Sequence, residues 1–318
     1  FLFLLVFFFF HVPATTEIHP LSLHDALPIS LAAAVVLAVT ALPAGVFAAK
    51  RDGTEEKLTK VTLNEVAHSI FYAPQYVAIE EGYFEEEGLD LTLVTGFGAD
   101  KVLTALISGE ADIGFMGAEA SIYACQEGAT DPAVNFAQLT QRAGNFLVAR
   151  EEMPDFKWED LKGKKVLGGR KGGMPEMVFE YILKKNGIDP QKDLTIDQSI
   201  DFGSTAAAFT GDDSAAYPVE FEPSATILEK EGAGHVVASL GEASGYVPYT
   251  SYSVKTSYMK ENPEIIQKFT NALQKGMDYV QSHTPEEIAE VIAPQFKETD
   301  IDTITTIVKR YYDQDRSE

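Results

Sequence analysis

The chain of 318 residues carries 48 Asp and Glu residues against 25 Lys and Arg, a formal net charge of −23. This acidity argues against a nucleic-acid-binding protein, because such proteins neutralise phosphates with Lys and Arg. The single cysteine, Cys125, excludes an intrachain disulfide and a cysteine-based metal cluster. It lies in SIYACQEG, which is typical of a helix face, and we expect it to be buried as a small apolar residue.

The first 48 residues are expected to lie outside the folded protein. Residues 1–30 open with a Phe/Leu run and lack the period of a helix or a strand, which indicates a non-native segment. Residues 31–48 are apolar and rich in small residues, and they end in the small-x-small pattern Val46-Phe47-Ala48. This pattern is typical of a secretory signal and its cleavage site. A transmembrane helix is the alternative for this stretch, and the Pro and Gly near its end disfavour it.

Short apolar runs alternate with helical segments over residues 58–143, which we expect to form a first lobe. Three of these runs are Val61–Val66, Leu89–Val94 and Ile113–Met116, and each ends in a small or polar turn. A helix over Ala118–Glu127 and a strand over Val134–Thr140 complete this part. Ligands bind at the carboxyl ends of strands in an open α/β sheet, because backbone N–H groups and helix N-termini converge there. The turns are therefore candidate ligand contacts.

The same alternation continues over residues 144–247, the predicted second lobe. Its predicted strands are Asn145–Arg150, Lys165–Leu167, Leu194–Ile200, Ala215–Val219 and His235–Leu240, and its predicted helices are Met174–Asn186, Ser204–Phe209 and Pro223–Glu231. Pro175 in the first turn of one helix and Gly187 just after its end are typical helix boundaries. Alternation of this kind predicts a mostly parallel sheet with helices on both faces.

Residues 248–318 are predicted to return to the first lobe and to end in helices. Pro248–Lys255 is strand-like, and the predicted helices are Pro263–Ser282, Pro285–Ile292 and Asp300–Tyr312. The predicted fold class is therefore α/β, with two α/β lobes of mostly parallel strands, a two-strand hinge and a cleft between the lobes. Hinged closure on a ligand is the natural motion of that arrangement. No catalytic triad or metal-binding motif accompanies the turns, which favours a binding protein over an enzyme.

Three stretches of the sequence together resemble a known family. They are FYAPQYVAIEEGYFEEEGLDLTLV, ALISGEADIGFMG and LKGKKVLGGRKGGMPE. They resemble the NMT1/THI5-like and nitrate/taurine-type periplasmic binding proteins, the soluble receptors of ABC importers for nitrate, sulfonates, taurine and pyrimidine precursors of thiamine. The resemblance runs from about Lys60 to Tyr312 and implies the periplasmic-binding-protein fold. Members of this family usually run further, so we expect this chain to be truncated and its last residues, DQDRSE, to be foreign.

The resemblance implies a periplasmic or extracellular solute-binding protein that delivers its ligand to an ABC permease and its ATPase subunit. The implied ligand is a nitrate-, sulfonate- or taurine-like anion, or a thiamine-precursor pyrimidine. The implied protein is a monomer without a cofactor, and it associates with the membrane through the permease. The family also contains fungal enzymes of thiamine-pyrimidine synthesis, which carry a CCCFC motif. This chain has one Cys and no such motif, which disfavours the enzyme as an alternative.

The predicted ligand contacts of the first lobe lie in or near its strand-end turns. They are His68, Ser69, Phe71, Tyr72, Gln75, Phe97, Gly98, Gly117 and Glu119, with Gln141 at the crossing between the lobes. Ser69 can donate a hydrogen bond to an oxyanion. The rings of Phe71, Tyr72 and Phe97 can form a wall against a planar ligand. Structural roles stay open for His68, as a hydrogen-bonded histidine, and for Phe71, as a core residue.

The predicted ligand contacts of the second lobe centre on the glycine-rich turn 168–173. They are Arg170, Gly172, Gly173, Met174, Tyr217 and Glu220, and the resemblance is the reason for including Tyr217. A glycine-rich turn that opens a helix presents backbone N–H groups and a favourable dipole to a sulfonate, carboxylate or phosphate. It lacks the Lys-Ser/Thr ending of a nucleotide P-loop, so ATP binding is not expected. Arg170 can bind an anion through two N–H groups or face solvent.

The charges near these turns point to two kinds of ligand. Arg170, Lys171 and the helix N-terminus suit an anion. Three acidic residues would instead suit the amino group of a pyrimidine or an amine: Asp100, Glu119 and Glu220. Because a buried site with unpaired like charges is costly, only one of the two groups can line the pocket. The sequence leaves both possibilities open.

Overall fold

The computed structural model describes residues 57–201 and 203–316 of the chain. The predictions for residues 1–30, residues 31–48 and the last two residues lie outside the described residues. Among the helices of the described part, none combines the length and the apolar character that are needed to cross a bilayer.

Ten strands in this part of the chain form two five-stranded sheets. In chain order, β1 to β10 are Thr59–Glu65, Leu89–Thr95, Ile113–Gly117, Ala133–Thr140, Asn145–Ala149, Lys165–Leu167, Thr195–Asp197, Tyr217–Phe221, His235–Ser239 and Thr250–Lys255. The strand orders are β2-β1-β3-β10-β4 and β7-β6-β8-β5-β9. In each sheet one strand, β10 or β5, is antiparallel to both of its neighbours, and the other four strands share one direction. The predicted fold class is confirmed.

Twelve α-helices accompany these strands in the described residues. In chain order, α1 to α12 are Ala73–Glu80, Tyr83–Glu86, Ala99–Ser108, Glu119–Gln126, Met174–Lys185, Thr205–Gly211, Ser224–Lys230, Leu240–Ser244, Thr256–Glu261, Pro263–Ser282, Pro285–Ile292 and Ile301–Arg316. Short 3-10 turns lie at Ile70–Tyr72, Trp158–Leu161 and Ala293–Gln295. The expectation that Cys125 is buried is wrong, because the exposed side of α4 carries it.

Each sheet and its helices bury an apolar core of their own, and we call these two bodies lobe 1 and lobe 2. Lobe 1 contains the first sheet with α1–α4 and α9–α11, and lobe 2 contains the second sheet with α5–α8. Leu63, Phe115 and Tyr252 are fully buried at the centre of lobe 1, and Leu147 and Val166 at the centre of lobe 2. Burial of this apolar surface is the main favourable term that holds each lobe together.

The chain crosses between the lobes twice, after β4 and after α8, and the two crossing segments lie side by side. The backbone N–H of Val247 donates to the carbonyl of Gln141 at 2.9 Å, and that of Tyr249 donates to Thr140 at 3.2 Å. The crossing strands β5 and β10 enter their sheets as the reversed strands. These paired segments match the predicted two-strand hinge.

Helix α12 packs against both lobes, which the sequence does not predict. Ile304 and Ile307 lie in the core of lobe 1. On the other side, the Arg310 guanidinium contacts the Glu222 carboxylate at 2.6 Å and the Glu229 carboxylate at 2.7 Å, both in lobe 2. The Glu222 side chain is fully buried at the end of β8, so α12 fixes the strand end that faces lobe 1.

We expect Arg310→Ala to destabilise the protein by about 3 kcal/mol, because it leaves the buried Glu222 carboxyl without its cation. Lys309→Ala is the matched control on the same helix. Its pair with Asp313 is exposed, and such pairs contribute less than about 1 kcal/mol. Denaturant unfolding at neutral pH measures both effects. Equal losses of stability in the two variants would contradict a structural role of the Arg310–Glu222 pair.

Candidate functional site

A cavity of about 630 Å³ lies between the two lobes, at the carboxyl ends of their parallel strands. The turns after β1, β2 and β3 line it from lobe 1, and residues 169–175 and 219–224 line it from lobe 2. Its lining is mostly apolar, and its volume is within the range of small-molecule sites. The cavity therefore lies where the sequence analysis expects ligands to bind.

The structure brings most of the predicted contacts together at this cavity. The predicted residues that line it are His68, Ser69, Tyr72, Phe97, Gly98, Gly117, Glu119, Arg170, Gly172, Gly173, Met174 and Glu220. Their contact with a ligand stays a prediction, because lining a cavity is a matter of position alone.

Two of the predicted contacts in lobe 1 instead have structural roles inside the protein. The Phe71 ring packs against the Tyr311 ring, with centroids 5.0 Å apart, and lies over Gly144 at the hinge. Gln75 is fully buried, donates to a Glu65 oxygen at 2.8 Å and accepts a hydrogen bond from Tyr252. Neither residue lines the cavity, because α1 directs Gln75 into lobe 1 and the 3-10 turn Ile70–Tyr72 directs Phe71 toward the hinge.

Gln141 and Tyr217 also lie away from the cavity. The Gln141 side chain is exposed, and the role of this residue is to accept the hinge hydrogen bond through its backbone. The Tyr217 hydroxyl contacts the Met153 sulfur at 3.4 Å, and its ring packs near Phe156. Tyr217 is the first residue of β8. Glu220, which lines the cavity, lies three residues further along, near the other end of the strand.

His68 is held by hydrogen bonds on both ring nitrogens. Its Nδ1 lies 2.8 Å from a Glu65 oxygen and its Nε2 lies 2.9 Å from the Gln295 carbonyl oxygen. Burial opposes a charge on the ring, but these hydrogen bonds outweigh it and raise the pKa of His68 above its usual value. Both neighbours are acceptors, so the geometry suits a protonated ring that is neutralised by Glu65.

Glu65 is a structural residue that the sequence analysis misses. Its carboxylate is fully buried and accepts hydrogen bonds from Gln75, Tyr76, Thr95 and His68. The feature of the sequence that could have revealed Glu65 is an acidic residue at the end of an apolar strand. This network fixes the turn after β1, so it positions the part of the cavity wall that carries Ser69.

Ser69 makes a direct contact between the lobes. Its hydroxyl donates to the backbone carbonyl of Glu222 at 2.8 Å, and the same oxygen accepts the N–H of Phe71 at 3.3 Å. In this arrangement the Ser69 hydroxyl donates to lobe 2, and its donation to an oxyanion stays a prediction. Ser69 is buried, so this hydrogen bond is shielded from water.

Arg170 pairs with Asp100 across the mouth of the cavity. Its Nη1 and Nη2 atoms lie 2.9 Å and 3.0 Å from the two Asp100 oxygens, a bidentate geometry. Gly98 has a φ angle of 142°, a conformation that residues with a side chain rarely adopt, so glycine is favoured there. The arginine predicted to bind an anion from solution thus binds a carboxylate of the opposite lobe.

The N-terminus of α5 is also engaged by lobe 1. Glu119, the first residue of α4, accepts the backbone N–H of Met174 at 3.0 Å. A side chain at Gly117 would overlap the Glu119 carboxyl, so glycine makes room for this contact. The N–H of Gly172 donates to Glu176 of the same helix at 3.2 Å. The predicted anion cradle is therefore filled, at least in part, by the protein's own carboxyl groups.

Two buried carboxyl groups of the cavity lining come from opposite lobes. Burial raises the pKa of Glu119 to about 7, and it raises the pKa of Glu220 to about 7 as well. Glu220 accepts the N–H of Phe221 with one oxygen at 3.0 Å. The second oxygen of each group is buried and has no hydrogen-bond partner among the described residues. Such atoms are costly unless a ligand satisfies them.

Two further cavity residues, Asn145 and Tyr249, are missed by the sequence analysis. Asn145 opens β5 at the hinge, and its side-chain oxygen accepts a hydrogen bond from the Tyr249 hydroxyl. Its amide nitrogen is buried without a partner in the described part of the chain. The feature of the sequence that could have revealed Asn145 is a polar residue at the start of an apolar strand.

Phe97 lies at the rim of the cavity in an unusual backbone conformation. Its φ angle is 55°, in the left-handed region that residues other than glycine seldom adopt. The ring is 53% exposed, although it is large and apolar. Backbone strain of this kind is typical of functional sites, which keeps Phe97 as a candidate wall for a ligand.

Metal binding has no comparable support, because residues 57–201 and 203–316 contain no group of three His, Cys, Asp or Glu side chains suited to an ion.

Comparison with known proteins agrees with the resemblance in the sequence. The family model described as NMT1/THI5 like matches residues 70–288. The chain belongs to this family. The putative binding protein YtlA of Bacillus subtilis (strain 168) is 51% identical over 260 residues, which are 82% of this chain and 78% of YtlA. A relative at this level of identity shares the family's fold and is itself named a binding protein.

A more distant relative is named as an enzyme. The 4-amino-5-hydroxymethyl-2-methylpyrimidine phosphate synthase THI11 of Saccharomyces cerevisiae is 24% identical over 225 residues. These residues are 66% of this chain and 63% of the synthase. The chain is thus similar to this enzyme at a much lower identity than to YtlA.

Solved structures share the fold. The alkanesulfonate-binding protein SsuA from Xanthomonas axonopodis pv. citri, bound to MOPS, matches with a TM-score of 0.66 and 16% identity over 80% of this chain and 84% of SsuA. The ligand-binding component of an ABC-type import system from Staphylococcus aureus matches with a TM-score of 0.64 and 15% identity, over 79% and 84% of the two chains. These matches show that the chain has the periplasmic-binding-protein fold.

We expect the free energy of unfolding to fall as the pH rises from about 5 to about 7. The pKa of Glu220 is raised from 4.5 to about 7 by burial, so in this range the folded protein keeps a proton that the unfolded chain releases. At about 1.4 kcal/mol for each pKa unit, ionised Glu220 lowers stability by on the order of 3 kcal/mol above pH 7.

Denaturant unfolding of Glu220→Gln across this pH range should show a smaller loss of stability than the unmodified protein. Glu110→Gln is the control, because Glu110 is exposed and lies outside the cavity. If the pH dependence were the same in all three proteins, the buried carboxyl of Glu220 would not be its source.

Proposed function

We propose that the protein is the extracytoplasmic solute-binding subunit of an ABC importer and binds one small solute in the cavity between its lobes. The observation that carries this proposal is a cavity whose walls come from both lobes. A solute that contacts both walls stabilises the closed arrangement over an open one, and only by its difference in affinity for the two. Membership of the family supports the same function.

The contacts across the cavity support a closed arrangement. Ser69 reaches Glu222, Asp100 reaches Arg170 and Glu119 reaches Met174, in each case from lobe 1 to lobe 2. These contacts lie at the cavity and are supplied by turns, whereas α12 joins the lobes on the hinge side, where Arg310 pairs with Glu222 and the Tyr311 ring packs near Phe146. The crossing segments at Gln141 and Val247 provide the pivot. An arrangement of this kind can open by rotation at the hinge without loss of either lobe's core.

The proposed partners are a permease and its ATPase subunit, and the proposed state is a monomer that is periplasmic or extracellular. The Staphylococcus aureus neighbour is named a component of an ABC-type import system, which supports this assignment. Candidate solutes are a nitrate-, sulfonate- or taurine-like anion and a thiamine-precursor pyrimidine. We do not extend the synthase activity to this chain, because its single Cys excludes a CCCFC motif.

Small-angle scattering with a panel of these solutes tests the proposal. Binding of one solute should reduce the radius of gyration, and the midpoint of the change should match the affinity from calorimetry. Binding without any change in radius would contradict closure by hinge rotation.

We expect Arg170→Ala to raise the open population of the ligand-free protein about fivefold. The Arg170 side chain is 39% exposed and the Asp100 side chain is 58% exposed, so their pair contributes no more than about 1 kcal/mol to closure. The effect should therefore appear as a larger radius of gyration, whereas the midpoint of chemical unfolding should hardly change. Lys184→Ala removes an exposed pair that lies within lobe 2 and should leave both quantities unchanged. An unaltered radius in Arg170→Ala would show that this pair does not hold the cavity closed.

A further inference from the structure

We infer that Arg310 is a positioning residue for closure of the cavity and that it acts through Glu222. Arg310 holds the Glu222 side chain in lobe 2, and the backbone carbonyl of Glu222 is the group that Ser69 of lobe 1 binds. Helix α12 thereby influences how often the cavity opens. This inference rests on the proposed function, since it concerns the opening and closing of the same cavity.

Helix α12 contacts lobe 1 mainly through apolar side chains and lobe 2 through polar ones. Ile304, Ile307 and Val308 are buried in the core of lobe 1. Arg310 extends to lobe 2 instead, where its Nη2 atom lies 2.7 Å from the Glu229 carboxylate and its guanidinium lies over the Phe146 ring. The helix is therefore anchored in lobe 1 and carries a cation into lobe 2.

Glu222 uses its side chain and its backbone for different contacts. Its carboxylate accepts hydrogen bonds from Arg310 at 2.6 Å and from the backbone N–H and the hydroxyl of Thr226, both at 2.9 Å. The side chain is fully buried, which raises the pKa of Glu222, and the charge of Arg310 opposes this shift. Without Arg310, a buried carboxylate would be left without a cation, which is costly. We therefore expect the chain just after β8 to move when Arg310 is removed.

The Glu222 carbonyl accepts the hydrogen bond that Ser69 donates across the cavity. The donor is fixed within lobe 1, because the N–H of Ser69 donates to the Tyr76 hydroxyl at 3.1 Å and its Oγ atom accepts the N–H of Phe71. The acceptor is fixed in lobe 2 by the contacts of the Glu222 side chain. A hydrogen bond weakens steeply when its geometry departs from the optimum. The bond from Ser69 is therefore sensitive to the position of Glu222, and through it to Arg310.

Other contacts keep α12 in place when Arg310 is changed. The Tyr311 hydroxyl donates to the Gly144 carbonyl at 2.8 Å, and the Ser239 hydroxyl donates to the Gln314 side chain at 2.7 Å. The apolar residues of α12 also stay buried in lobe 1. A substitution of Arg310 thus tests the position of Glu222 rather than the attachment of the helix.

Hydrogen exchange at the amide of Met174 reports opening of the cavity without any label. Met174 is the first residue of α5, and the first N–H groups of a helix have no acceptor within it. Its acceptor is Glu119 of lobe 1, at 3.0 Å, so exchange requires that this contact separates. The amide of Val178, which is buried within the same helix, reports unfolding of lobe 2 instead.

A double-mutant cycle in the whole chain without solute, with exchange measured by nuclear magnetic resonance, tests the inference. Ser69→Ala should speed exchange at Met174 about fivefold, the effect of losing one shielded hydrogen bond. Arg310→Ala should do the same, and the double variant should remain at about fivefold rather than reach about 25-fold, because both substitutions act on one contact. Arg310→Lys keeps a charge beside Glu222 and should show a smaller increase. Lys309→Ala, whose pair with Asp313 is exposed, should exchange as the unmodified protein does.

Additive effects of the two substitutions would show that Arg310 acts independently of Ser69 and would overturn the inference. An unchanged rate at Met174 in Arg310→Ala, or an equal acceleration at Val178, would overturn it as well. If Arg310→Ala does not fold, the same cycle with Arg310→Lys decides the question. None of these results touches the proposed function, because the measurement contains no solute. Failure of every solute to compact the protein would instead contradict the proposed function and leave the coupling between Ser69 and Arg310 as measured.

Discussion

Carboxylates of lobe 1 reach across the cavity to donors of lobe 2, and the closed form depends on these contacts. Asp100 binds the Arg170 guanidinium, and Glu119 binds the first N–H of α5. The Ser69 hydroxyl adds a third contact to the end of β8. Each of these contacts joins turns at the cavity, whereas α12 joins the lobes on the hinge side through the Arg310–Glu222 pair. A solute shifts the equilibrium between a closed and an open form only by its difference in affinity for the two.

The same arrangement has a cost that a ligand can relieve. Glu119 and Glu220 are buried, each with one oxygen that has no hydrogen-bond partner within residues 57–201 and 203–316, and burial raises the pKa of both carboxyls to about 7. A cavity built only for stability would pair these groups within the protein, as α12 does for Glu222 through Arg310. Glu222 is thus paired, whereas Glu220, two residues before it, and Glu119, across the cleft, are not paired with a cation in the described part of the chain. This contrast is typical of a binding site.

The sequence predicts the fold and the cavity turns because both depend on local patterns. Apolar runs that end in small residues mark the strand ends, and Met174 begins α5 after a glycine-rich turn, as predicted. The partner of each group is not predictable in this way. Arg170 and Asp100 are separated by 70 residues and lie in different lobes, so an arginine that suits a ligand anion instead binds the protein. Gln75 lies away from the cavity for a simpler reason: on a helix, its position in the sequence alone does not fix which face is buried.

A distance measurement between the lobes tests directly whether they close around a solute. The protein's own Cys125 is exposed on α4 of lobe 1, and Lys192→Cys places a second exposed attachment site in lobe 2. Spin labels at the two sites report the separation of the lobes by electron paramagnetic resonance. We expect a broad distance distribution without solute that becomes shorter and narrower when the solute binds. An identical distribution with and without a bound solute would contradict closure of the two lobes around it.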